Sequence, residues 1–156
     1  MEWRRLCGLV VLGVGCPVLA GAQGKDRDKG NWRAESQTAR SITGDVAFTS
    51  TKIAINFSGY WIAQIRTLQP AEASAVFNVD ADAAGSGNLY RLSIPGDKKF
   101  LHKSTLCGGE DVQWVVTYVE GHRLELALYS GTKMPVMTPE GVAGATNLCG
   151  VFGYVN

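Results

Sequence analysis

The sequence predicts a small all-β domain: an antiparallel barrel of about eight strands with one disulfide, a two-sheet sandwich being the alternative. Three observations carry that expectation. Apolar residues recur with a period of two, at Ile53, Ile55 and Phe57, at Trp114, Val116 and Tyr118, and at Leu124, Leu126 and Leu128. Turn-forming residues interrupt these runs at short intervals, at Thr49-Ser50, Ser58-Gly59, Pro95-Gly96-Asp97 and Glu120-Gly121-His122. No long segment after residue 22 shows the 3.6-residue spacing of a helix. Many short antiparallel strands favour a barrel because closure removes exposed strand edges.

Taken in order, residues 1–22 read as a signal peptide. Arg4 and Arg5 form a basic start, Leu6 to Leu19 an apolar run, and Ala20-Gly21-Ala22 a small-residue cleavage site. The run is shorter than the roughly 20 residues a bilayer span needs, and no later segment is longer. The mature chain is therefore expected to be exported, to the periplasm or outside the cell, with no membrane span. Lipid anchoring at Cys16 is the weaker reading, since Gly13 stands where an aliphatic residue is wanted. Residues 23–40 mix charges around a single large apolar residue, Trp32, and are expected to be a flexible charged linker. The β domain then covers 41–156. Strands are expected at 41–48, 52–57, 60–68, 74–79, 89–94, 112–119, 123–129 and 148–155, with a short one near 98–102. The strands at 112–119 and 123–129 should form a hairpin turning at Gly121.

Charge excludes one class of partner. The chain has 15 basic and 14 acidic residues, and loss of Glu2, Arg4 and Arg5 with the leader makes the two equal. A nucleic-acid binder carries a basic footprint, so none is expected here, and the same balance weakens the case for electrostatic attraction to anionic lipid. Cys7 and Cys16 leave with the leader. Cys107 and Cys149, in matching Leu-Cys-Gly contexts, are then expected to pair, as two thiols in an exported domain usually do.

Chemistry-bearing motifs are sparse. Asn78-Val79-Asp80-Ala81-Asp82 has the alternating oxygens of a calcium loop, but Ala83 and Leu89 stand where that loop needs Gly and Glu. No metal or cofactor is expected. His102 lies two residues from Ser104, yet no Gly-x-Ser-x-Gly elbow accompanies them. A hydrolase using this pair ranks third, and the leading expectation names no catalytic residue. The segment 130–147 is long, stiffened by Pro135 and Pro139, and apolar at Met134, Val136 and Met137. Lys133, Met134, Pro135 and Met137 are its candidate contacts for an envelope or extracellular protein. Trp61, Trp114 and Phe152 are candidate lining for a small apolar ligand, should the barrel be hollow. The ranking is thus a non-enzymatic, inhibitor-like binding module first, a carrier of an apolar ligand second and a hydrolase third.

Ser41-Ile42-Thr43-Gly44-Asp45 near the domain start, the two Leu-Cys-Gly motifs, and a terminal aromatic strand after Cys149 together resemble small exported bacterial β-sheet proteins of unassigned function. The resemblance covers most of residues 41–156. It implies a two-cysteine domain in a bacterial envelope setting. In size and β content the chain is also similar to periplasmic inhibitors of proteases or lysozyme, an analogy of fold and not of function.

Overall fold

The computed structural model describes residues 26–98 and 105–156. The elements run β1 (Gly30–Ala34), α1 (Gln37–Ile42), β2 (Val46–Phe48), β3 (Lys52–Ile55), β4 (Ser58–Trp61), β5 (Ala63–Thr67), α2 (Pro70–Phe77), β6 (Ser86–Ile94), β7 (Val112–Glu120), β8 (Arg123–Ser130), α3 (Pro139–Ala143) and β9 (Leu148–Val155). All strands join one antiparallel sheet in the order β4-β3-β2-β1-β9-β8-β7-β6-β5. The all-β class holds, with three short helices added.

The sheet is not closed into a barrel by strand pairing. β4 pairs with β3 and β5 pairs with β6, and these two strands end the order. Ile62 alone separates β4 from β5, so the chain itself passes from one edge of the sheet to the other. That single residue forces the sheet to curl until its edges meet. Nor are there two sheets, so the sandwich falls too.

The curled sheet has an inner and an outer face. Inward residues of β1, β3 and β6–β9 form one core with Trp32, Ile53, Ile55, Tyr90, Leu124, Leu126, Leu128, Phe152 and Tyr154. Leu124, Leu126 and Leu128 thus behave as their alternation predicts. The outer face differs by region. Over β6–β8, Leu89, Trp114, Val116, Tyr118, Ala127 and Tyr129 are buried beneath Ala73 and Val76 of α2 and Met137. β7 and β8 are therefore buried on both faces.

Four expectations are corrected. Residues 26–40 are not a linker: β1 pairs with β2 on one side and β9 on the other, and Trp32 is 1 % exposed. A strand between two neighbours needs only its inward residues, here Trp32 and Ala34, to be apolar. The strand expected at 41–48 is the end of α1, a corner, and the short β2. The strand expected at 74–79 is α2, started by Pro70 at its first turn and a capping box between Gln69 and Glu72. Phe57 is not in a strand: Asn56 and Phe57, at φ 49° and 60°, form a two-residue hairpin turn between β3 and β4. The short strand near 98–102 falls largely outside the described residues.

The β7–β8 hairpin forms as expected, with Gly121 at φ 57° in its two-residue turn. Cys107 and Cys149 are joined by a disulfide, their Cα atoms 4.9 Å apart. It ties β9 to the turn that leads into β7. Among the described residues no helix is long and apolar enough to cross a membrane.

Candidate binding site

A groove of about 640 Å³ lies between α1 and the outer face of β1–β3. The strand registers explain its floor. Asn31, Ala47, Ala54 and Gly59 stand in one row across β1, β2, β3 and β4. Four small or short side chains in a row leave a trough where larger ones would fill it. Asn56 and Phe57 rise at its rim, from the tip of the β3–β4 turn.

The opposite wall is the corner between α1 and β2, and each residue of Ile42-Thr43-Gly44-Asp45 helps shape it. Ile42 packs on the inner core. The Thr43 hydroxyl shares a buried hydrogen bond with the Tyr154 hydroxyl, 2.7 Å apart. Gly44, at φ 63°, ends the helix in a left-handed conformation that L side chains avoid, and its N–H donates to the Ala39 carbonyl at 2.8 Å. Asp45 Oδ1 accepts the Ala34 N–H at 2.9 Å, fastening the corner to β1.

Two guanidinium groups border the groove. Arg40 donates from Nε to the Ala34 carbonyl at 3.2 Å, which leaves its terminal nitrogens free. The Arg33 side chain makes no hydrogen bond or ion pair among the described residues. Against these two cations stands one carboxylate, Asp45, already engaged by a backbone N–H. The combination is a mostly apolar trough with a surplus of bidentate cationic donors at one side. It suits an anionic group attached to an apolar body.

Most residues singled out from sequence lie elsewhere. The 130–147 segment is divided: Lys133, Met134 and Val136 are exposed, whereas Pro135 is buried and Met137 sits in the outer cluster under α2. Thr138 caps α3 by accepting the Gly141 N–H, so the unstructured stretch is much shorter than 18 residues. Trp61, Trp114 and Phe152 do not share an interior. Trp61 is 69 % exposed, Trp114 belongs to the outer cluster and Phe152 to the inner core. His122 is exposed in its turn, with Nδ1 against Asn156 Oδ1 at 2.9 Å. His102 and Ser104 lie outside the described residues.

Asp28 is the residue that sequence reading missed. It is 1 % exposed, and its Oδ2 accepts from the hydroxyl of Tyr90 at 2.6 Å, Thr117 Oγ1 at 2.9 Å and Asn88 Nδ2 at 3.1 Å. Oδ1 has no hydrogen-bond partner and faces Lys29 Nζ at 3.7 Å. Trp32 Nε1 donates to the Asp28 carbonyl at 2.9 Å. Burial and the adjacent Asp28 carboxylate push the Tyr90 phenol far above its ordinary range, so it remains a donor. The cluster anchors the segment before β1 inside the curl. A small-residue trough also has no periodic signature, because its row forms across four strands rather than along one. Compared with family models, with curated proteins and with solved structures, the chain matches none.

Proposed function

We propose that the protein is an exported, non-enzymatic binding module whose ligand seats in the groove between α1 and β1–β3. The carrying observation is that Arg33 and Arg40, whose guanidinium groups keep unengaged nitrogens, line an apolar trough large enough for a small organic molecule. The ligand class that matches is an anion with an apolar body, such as a fatty carboxylate. The apolar-ligand idea thereby moves from the interior, which side chains fill, to the outside of the sheet.

Titrating decanoate into the labelled protein and following backbone amide resonances tests this. Shifts should concentrate at residues 31–34, 40–47 and 54–57. Arg33→Ala combined with Arg40→Ala should weaken binding at least about tenfold, the loss of one charge-assisted contact or more. Absent shifts, or shifts centred on Met134 and Val136 of the exposed loop, would overturn the groove as the site.

A further inference from the structure

Residues 57–65 run along β4 and into β5, the two edge strands of the sheet, and their outward side chains form a ridge. Burial alternates without a break: Phe57, Gly59, Trp61, Ala63 and Ile65 face solvent, while the residues between them are half-buried or buried. Phe57 is fully exposed, Trp61 is 69 % exposed and Ile65 48 %. A shift of register between Gln64 and Arg66 leaves Ile65 outside the ladder, which turns it out beside an edge. Three large apolar groups in solvent within nine residues are costly unless something covers them. Phe57 adds to this, since a bulky residue in left-handed conformation is strained and such strain clusters at working sites.

Charge selects the occupant. No residue from 57 to 67 is acidic. Lys52 Nζ lies over the Trp61 ring, 4.1 Å from its centroid, on one flank of the ridge. Arg91, stacked on Trp114 at 4.6 Å and hydrogen-bonded to Gln113, lines a second, separate groove on the other flank with Trp61 and Ala63. Arg66 is already held by Glu72 through two 2.6 Å contacts. Area argues against a protein partner. Three such side chains bury on the order of 500 Å², short of the roughly 800 Å² per partner of a stable protein interface. A narrow ridge also fits a medium it can enter better than a rigid surface it must match.

We infer that this ridge docks the protein on an anionic lipid surface. Phe57, Trp61 and Ile65 enter the boundary between headgroups and acyl chains, as amphipathic aromatic groups do. Lys52 and Arg91 meet the lipid phosphates. The inference does not depend on the groove carrying a ligand.

Trp61 supplies the measurement, because among the described residues the other two tryptophans, Trp32 and Trp114, are buried. The difference in emission between the full-length chain and its Trp61→Phe variant isolates the Trp61 signal. With vesicles of mixed phosphatidylglycerol and phosphatidylcholine, that signal should move to shorter wavelength and be quenched by brominated acyl chains. Ile65→Ser should weaken partition several-fold, and Lys52→Gln with Arg91→Gln should reduce it toward the level on pure phosphatidylcholine. The near-ultraviolet circular dichroism of the buried tryptophans verifies folding of each variant. Unquenched Trp61 on anionic vesicles, or equal quenching on neutral ones, would overturn the inference. So would a dimer in sedimentation velocity that Trp61→Ser dissolves, which would assign the ridge to a second copy of the chain.

Discussion

The outer faces of the two halves of the sheet have been treated in opposite ways. Over β6–β8 the outward row is large and apolar, and α2, with Met137 beside it, covers it. Over β1–β4 the outward row is Asn31, Ala47, Ala54 and Gly59; among the described residues no apolar layer covers it, and α1 stands only at the wall of its groove. One half obtains a second hydrophobic layer from its outer surface; the other half has only the inner core to hold it. The difference separates stability from recognition. Residues on the covered half are committed to packing, whereas those on the bare half are available to something outside the chain.

A pair of tryptophans tests that division most directly. Trp114→Ala, on the covered face, should cost about 3–5 kcal/mol, the range for emptying a large aromatic site. Trp61→Ala, on the bare half, should change stability by no more than about 0.5 kcal/mol. Urea unfolding of both variants measures this, and similar losses would erase the distinction.

Asp28→Ala probes what holds the bare half together from within. It strands three buried donors, those of Asn88, Tyr90 and Thr117, at a cost of about 2–4 kcal/mol. Hydrogen exchange of the β1 amides should rise more than that of β7 and β8. Uniform acceleration would mean that the two halves do not open separately.

The smallest effect concerns the fastening of α2. The Arg66 guanidinium holds the Glu72 carboxyl below its usual range, assisted by the Gln69 N–H. A lowered carboxylate pKa contributes stability above about pH 4.3, its unfolded value, and loses it as pH falls through the folded value. Arg66 is 38 % exposed, so solvent screening keeps the contribution below about 1 kcal/mol. Glu72→Gln should remove only this acid-side slope. Glu125, raised by burial, titrates with the opposite sign, which makes the difference between wild type and variant the quantity to follow. An identical slope in the variant would show that the pair does not secure the helix.

Regular alternation made the centre of the sheet legible. Leu124, Leu126 and Leu128 announce their face because each strand repeats its own pattern, and Cys107 and Cys149 announce their bridge through matching Leu-Cys-Gly contexts. The edges were less legible. Trp32 and Ala34 suffice for a short strand flanked on both sides, yet two apolar residues among charges look like a tether. Asp28 is buried by partners 60 or more residues away, at Asn88, Tyr90 and Thr117, which no local window contains. For α2, the Gln69, Pro70 and Glu72 start signals were present, but β-type spacing on either side obscured them. The candidate groove was the hardest to foresee, since its emptiness is a property of a row across strands.

Pairing of Arg33 with Val155, and of Ala34 with Tyr154, places the first strand beside the last. No shorter fragment that starts at the N-terminus can satisfy both sides of β1. Productive folding must therefore wait for β9 to emerge, and its slowest step should be the meeting of β1 with β9. Until then the inward row of β1 and the lengthy run of β8 are exposed together, the interval in which a chaperone would matter most.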